Sequence, residues 1–168
     1  MTDHGAALRQ TQAPLKQKYR EEPSSALLTL HAAAELGDEG VSCSVQTGKA
    51  VVTAGLHPYS GGDGTLACSG DMLLEALAAC AGVTMRAVAT SLGIAVSGHL
   101  RVEGDLDFRG TLGVDKSVPV GFTAIRVVAD IDTDATDELR ATLLRLTERY
   151  CVVLQTLVSS PEITLSAS

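Results

Sequence analysis

The residues of this sequence best suited to covalent chemistry are its four cysteines. They are Cys43, Cys68, Cys80 and Cys151, and no two of them have CxxC spacing. A free thiol either packs as a small apolar side chain, which is its commonest role, or reacts as a thiolate nucleophile. The four histidines are scattered along the chain, so no close-spaced set of Cys and His predicts a metal site.

The composition limits the kinds of molecule that this protein is expected to bind. A chain of 168 residues, 45% of them hydrophobic, is expected to form one domain with a core of ordinary size. It has no Trp, two Phe and three Tyr, and its formal net charge is −7. Few aromatic rings can stack on bases, and an acidic surface repels phosphate backbones and anionic lipids. We therefore expect neither nucleic acid nor a membrane as a partner.

The expected compartment is the cytoplasm. No run approaches the roughly 18 uninterrupted apolar residues of a membrane helix. The start, MTDHGAALRQTQ, lacks the basic and apolar regions of a signal peptide. Structural disulfides are rare in the cytosol, so reactive thiols and buried thiols remain as alternatives.

The elements that position the cysteines follow from hydrophobic periodicity and from turn residues. In chain order we expect a helical arm over 1–25, a three-stranded meander over 27–56 and a glycine-rich loop over 58–64. An apolar helix over 71–94 follows, with Gly93 as its C-terminal cap, and then long antiparallel strands over 100–109 and 125–131. Next we expect a helix over 137–150, capped by Asp134, whose buried stripe holds Leu139, Leu143, Leu146 and Tyr150. A short helical piece over 151–158 and a final strand over 162–167 complete the order.

The helix expected over 71–94 is apolar nearly all round. Only Asp71, Glu75 and Arg86 carry charge in it, which is typical of a buried helix. The order of elements therefore predicts an α+β fold in which antiparallel sheets pack around this long buried helix, which carries Cys80. One chain offers too little surface to cover such a helix, and this favours a homodimer.

Two segments resemble the OsmC/Ohr family of osmotically inducible and organic hydroperoxide resistance proteins. They are LLEALAAC, ending at Cys80 after a glycine-rich loop, and RYCVVLQTL around Cys151. The resemblance covers residues 26–168 as one OsmC-like domain and leaves 1–25 as an N-terminal arm. It implies an intertwined homodimer with two active sites at its interface.

The resemblance also implies a function. Cys80 would reduce a small apolar organic or lipid hydroperoxide, and its sulfenic acid would condense with Cys151 to a disulfide. An external dithiol protein of the lipoyl type would restore both thiols, with no bound cofactor. Cys43 and Cys68 have no counterpart in the family, although Cys68 is a candidate for an extra thiol partner.

The sequence departs from the family in the charged groups that would activate Cys80. The family has an Arg in an early loop and a Glu at the head of the cysteine helix, whereas here the comparable turn reads GDEG and Gly70 stands at the head. Because Cys80 lies about three turns into its helix, beyond the reach of the helix dipole, a cation is expected to help. Val152 replaces a Pro common in the family, a change expected to leave the chemistry unaffected.

Four residues are candidates for the missing groups. Asp71 is the substitute carboxylate, and Arg86, His57 and Arg20 are the substitute cations. Each also has an ordinary interpretation: Asp71 as a charge in the first helical turn, Arg86 as a partner of solvent or Glu75, and His57 as a loop residue.

Two other functions are compatible with the sequence. The first is a redox-sensing or apolar-ligand-binding dimer of the same fold, which the absence of the charged groups favours. The second is a thioesterase of the hot-dog type, in which Glu75 would act as general base.

Overall fold

The computed structural model describes residues 51–167, the strand segments Ala34–Leu36 and Ser42–Thr47 with Ala50, and isolated positions in the first 22 residues. Six of those positions are helical: Ala6, Gln10, Gln12, Ala13, Gln17 and Glu21. The rest of the expected arm, with Arg20 and the boundary at 25–26, lies outside the described residues. The division into an arm and one domain over 26–168 stays a prediction.

The chain divides into two compact units. One comprises Met1–Pro23, Ala76–Arg101 and Val128–Ser168, and the other comprises Ser24–Glu75 and Val102–Val127. We call them the thiol unit and the sheet unit. Three elements pass from one unit into the other: helix α1 (Ser69–Leu92) and strands β5 (Ser97–Leu106) and β6 (Phe122–Asp132).

The sheet unit contains a four-stranded sheet. Strands β1 (Ala34–Leu36), β2 (Ser42–Thr47) and β3 (Ala50–Gly55) form the expected antiparallel meander, with Val45 opposite Val52. Strand β4 (Ala67–Cys68) then pairs parallel to β3. The sequence did not predict β4, because two residues are too few to show an alternating pattern.

Two short helical segments complete the sheet unit. A 3₁₀ turn, Pro58–Ser60, lies in the glycine-rich loop, and α2 (Phe108–Thr111) interrupts the expected run of strand over 100–109. Helix α2 begins there because the carboxylate of Asp107 accepts a hydrogen bond from the backbone N–H of Arg109. Phe108 therefore lies in a helix and not at the end of β5.

The thiol unit contains the rest of α1, with helices α3 (Asp137–Tyr150) and α4 (Val152–Val158). Helix α1 ends as expected at Gly93, whose φ of +72° suits glycine. The expected cap of α3 was wrong. Thr136 and not Asp134 caps it, because the Thr136 hydroxyl accepts a hydrogen bond from the N–H of Leu139.

The final strand expected over 162–167 is absent from the described chain, where these residues have no regular structure. Leu165 is fully exposed. An alternating pattern becomes a strand only when a neighbouring strand accepts its hydrogen bonds, and none does so here within the described residues.

Within its own chain, helix α1 is buried along one stripe of its surface. Leu77, Ala81, Met85 and Ala89 are buried at four-residue intervals, and Met85 and Ala89 belong to a core with Val96, Ile131 and Leu143. Val83, on another face, is 72% exposed. The α+β architecture is as expected, but the described residues of a single chain cover only one side of the helix.

By length and composition, α1 is also the one helix of the described chain that could cross a membrane, with a mean hydropathy of 1.5. The expectation that no uninterrupted apolar run of about 18 residues occurs is met in this helix, because Asp71, Glu75 and Arg86 interrupt it. The Ala, Leu and Val residues around these charges keep the average hydropathy high. A core helix has the same composition.

Candidate thiol site

Cys151 lies at a break between two helices. Its extended backbone, with φ −73° and ψ 106°, ends α3 and starts α4. The Cys151 N–H donates to the Thr147 carbonyl at 3.0 Å, and its carbonyl accepts from the N–H of Gln155 at 2.9 Å. Cys151 thus caps both helices, and the first N–H groups of α4 have no partner within that helix.

The buried stripe of α3 continues to this break. Leu143, Thr147 and Cys151 are buried at four-residue intervals, whereas the expected stripe members Leu139 and Tyr150 are 37% and 59% exposed. That expectation was wrong at both ends because the row that faces the core is the four-residue row through Leu143. Cys151, at the end of this stripe, therefore lies in the interior, where its exposure is 0%.

Cys80, midway along α1, meets Cys151 in the thiol unit. Both are free thiols, and Cys80 is only partly buried. Burial by itself raises the pKa of Cys80, but hydrogen bonds outweigh it and lower the pKa below the usual value. The donors are the N–H groups of Val153 and Val152, the Cys151 thiol and the Thr84 side chain.

The pKa of Cys151 is shifted the other way. Burial raises it most, and the hydrogen bond and negative charge of Cys80 raise it further, against the opposing N–H groups of Leu154 and Val153. Cys80 is therefore the thiol that loses its proton at the lower pH of the two. A thiolate beside a protonated thiol is the arrangement that a dithiol redox site needs.

No cation is among the groups that lower the pKa of Cys80 in the described chain. The Arg86 guanidinium instead donates to the Val96 carbonyl at 2.7 Å. The expectation that a cation must help is therefore not met there, because backbone N–H groups take that role. Arg20 lies outside the described residues.

The other two candidates belong to the sheet unit. His57 accepts a hydrogen bond from the N–H of Tyr59 at 3.1 Å through Nδ1 and stacks on Phe108 with ring centroids 5.1 Å apart. It fits its interpretation as a loop residue. Asp71 is exposed in the first turn of α1, which fits a helix-terminal charge.

Sequence reasoning missed two contributors to the site. Thr84 lies four residues after Cys80 on the same helix, so helical spacing was the signal that would have found it. Val152 was expected to leave the chemistry unaffected, and this was wrong, since its N–H helps to lower the pKa of Cys80. A proline there would lack that donor.

The family follows from comparison with known proteins. The family described as OsmC-like protein matches residues 62–166. This chain belongs to the OsmC-like protein family. The expected resemblance is confirmed over that range, which holds both Cys80 and Cys151. No curated protein matches the chain.

Three solved structures share the fold, and two of them are described as OsmC-like proteins. The OsmC-like protein of Mycoplasma pneumoniae is 18% identical, with a TM-score of 0.65 over 79% of this chain and 89% of that one. An OsmC-like protein of unknown function from Vibrio cholerae is 9% identical, with a TM-score of 0.60 over 76% and 94%. A hypothetical protein from Aquifex aeolicus is 17% identical, with a TM-score of 0.60 over 80% and 90%.

This OsmC-like protein also has a cavity of about 460 Å³ in the thiol unit. Its apolar lining includes Met85, Leu100 and Ile131, and Arg86 and His99 are its basic residues. The described residues contain no group of three or more His, Cys, Asp or Glu that could hold a metal ion.

Proposed function

We propose that this OsmC-like protein is a thiol-dependent peroxidase that reduces organic hydroperoxides of the lipid type in the cytoplasm. The observation that carries the proposal is the opposite displacement of two pKa values, downward at Cys80 and upward at Cys151. These residues are 71 positions apart in the chain. A peroxide is attacked by the thiolate and not the thiol, so Cys80 is the nucleophile and Cys151 the resolving residue.

The reaction begins when the Cys80 thiolate attacks the terminal oxygen of the hydroperoxide. The O–O bond breaks, Cys80 becomes a sulfenic acid, and the alkoxide takes a proton to leave as an alcohol. The Cys151 thiol, which is hydrogen-bonded to Cys80, can supply this proton. Once Cys80 is a neutral sulfenic acid, the charge that raised the pKa of Cys151 is gone, so Cys151 ionises more readily at the step that needs its thiolate.

In the second step the Cys151 thiolate attacks the Cys80 sulfur. An S–S bond forms, the S–O bond breaks, and the oxygen leaves with a proton as water. The peroxide has then gained the two electrons that the two thiols lost. A dithiol of the lipoyl type, carried by a partner protein, returns them by thiol–disulfide exchange through a mixed disulfide.

The proposal includes a homodimer. Helix α1 leaves Val83 72% exposed and Leu73 37% exposed, and a second copy of the chain would remove these side chains from water. Stable interfaces bury about 1,200–2,000 Å² in total. Val83→Lys is expected to shift the protein toward the monomer in sedimentation velocity, whereas Val114→Lys, at another exposed site, leaves the distribution unchanged.

The test of the peroxidase is stopped-flow consumption of cumene and fatty-acid hydroperoxides by the reduced protein, followed by peptide mass mapping. Wild type and Cys68→Ser are expected to react rapidly and to yield a Cys80–Cys151 disulfide. Cys80→Ser loses the reaction, and Cys151→Ser stops at a Cys80 sulfenic acid. Oxidation of wild type no faster than that of a free thiol would reject the peroxidase.

A second candidate function is an apolar-ligand-binding or redox-sensing dimer, which the cavity of about 460 Å³ favours. Its apolar walls and basic Arg86 and His99 suit a ligand with a hydrocarbon chain and an acidic end. Binding of a fatty acid that Leu100→Trp abolishes, without peroxide turnover by wild type, would favour this function. The match to the OsmC-like family gives no support to the thioesterase with Glu75 as base.

A further inference from the structure

Thr147 is a buried polar residue whose hydroxyl has no hydrogen-bond partner among the described residues. The residue as a whole is 6% exposed. Other threonines in these helices donate to the carbonyl four residues earlier, as Thr90 does to Arg86 and Thr156 to Val152, each at 2.8 Å. Because an unpaired buried hydroxyl is costly, the exception at Thr147 needs an explanation.

The position of Thr147 relates it to the thiol pair. It lies one turn before Cys151 on the buried stripe of α3, and its carbonyl accepts the Cys151 N–H. One turn to the other side, Leu143 packs with Met85 in the core formed with α1. Since Leu143 and Cys151 both meet α1, Thr147 lies between them on the face of α3 that packs against α1, one helical turn from Cys151.

In the proposed reaction, peroxide reduction adds an oxygen atom to the sulfur of Cys80. In the reduced protein the thiols offer only weak hydrogen-bond partners, and the buried hydroxyl finds none. After peroxide reduction, Cys80 carries a hydroxyl on its sulfur, and this oxygen must leave when Cys151 attacks. A donor already in place and shielded from water stabilises the charge that develops on a leaving oxygen.

We propose that the Thr147 hydroxyl donates a hydrogen bond to the oxygen that Cys80 takes from the peroxide, and thereby promotes disulfide formation. This inference rests on the proposed peroxidase function. As the S–S bond forms and the S–O bond breaks, the donor holds the departing oxygen, which takes its proton from solvent and leaves as water. Thr147 is then a catalytic residue of the second step and not of peroxide attack.

The test is a single-turnover experiment with cumene hydroperoxide on wild type and Thr147→Val, which replaces the hydroxyl by a methyl group. Dimedone trapping and mass spectrometry follow the sulfenic acid, and acid quenching follows the disulfide. We expect disulfide formation to slow roughly tenfold, as for the loss of one hydrogen bond. Peroxide attack stays within about twofold, and the thermal midpoint is unchanged or raised, because an unpaired buried hydroxyl has been removed.

Two controls separate this role from packing. Thr147→Ser is expected to restore the rate of disulfide formation, and Thr142→Val, also in α3, leaves it unchanged. If Thr147→Val fails to fold, Thr147→Ala and Thr147→Ser differ by the hydroxyl alone and give the same comparison. Equal disulfide rates with and without the hydroxyl overturn the inference and leave the peroxidase standing, whereas a wild type that forms no sulfenic acid overturns both.

Discussion

Cys80 and Cys151 meet with their pKa values displaced in opposite directions, downward for the partly exposed thiol and upward for the buried one. The pKa values differ because Cys80 accepts hydrogen bonds from the first N–H groups of α4, the helix that Cys151 caps. One break between helices α3 and α4 thus both places Cys151 and activates Cys80.

Removing the Cys151 thiol is expected to raise the pKa of Cys80. Cys151→Ala deletes a donor that favours the Cys80 thiolate, so the thiolate forms only at higher pH. The measurement is the pH dependence of Cys80 alkylation by monobromobimane, resolved by peptide mass spectrometry. Cys68→Ala is the control and leaves the profile unchanged. A profile for Cys151→Ala equal to that of wild type would refute the role of this hydrogen bond.

Val152→Pro tests the backbone donor directly. Proline suits the first position of a helix, and Cys151 before it already has the extended backbone that proline requires. The variant is therefore expected to keep its fold while it loses the N–H that helps to lower the pKa of Cys80. The alkylation profile moves to higher pH in Val152→Pro and stays in place in Val152→Ala, which retains the N–H. A profile that moves in Val152→Ala and stays in place in Val152→Pro would contradict the assignment of the Val152 N–H as a donor to Cys80.

Leu143→Ala is expected to lower the free energy of unfolding by about 2–5 kcal/mol, because the side chain is fully buried in the core of the thiol unit. Urea titration followed by circular dichroism measures the loss. Leu144→Ala, the adjacent residue with 41% exposure, is the matched control and costs much less. Equal losses would show that this core does not stabilise the chain as described.

Arg126 and Asp105 provide a test of pH dependence in the sheet unit. The Arg126 guanidinium donates to the Asp105 carboxylate at 2.8 Å, and chiefly this hydrogen bond lowers the Asp105 pKa. A carboxyl pKa that is lower in the folded state contributes stability above its unfolded value of about 3.9, and this is lost as the pH falls through the folded pKa.

Arg126→Met is therefore expected to raise the pKa of Asp105 toward its ordinary value. Since both side chains are exposed, stability at neutral pH changes little. NMR titration of the Asp105 carboxyl carbon measures the shift, with Arg145→Met as the control that leaves it in place. An Asp105 pKa that does not move would mean that another group lowers it.

The long regular elements were predictable because they depend on nearby residues. The apolar helix through Cys80, its end at Gly93 and the meander before it follow from periodicity and glycine alone. Two of the elements that failed depend on pairing with another strand of the chain. Strand β4 exists because β3 lies beside it, and the pattern over 162–167 finds no neighbour within the described residues.

The sequence by itself determined the family resemblance, the α+β class and the two cysteines, because each is encoded in local spacing and residue type. Only the tertiary structure decided how Cys80 is activated. Sequence reasoning looked for a charged side chain, since side chains are what a sequence displays. The groups found are mostly backbone N–H donors at a helix start, which every residue except proline carries and which act only where the fold aims them.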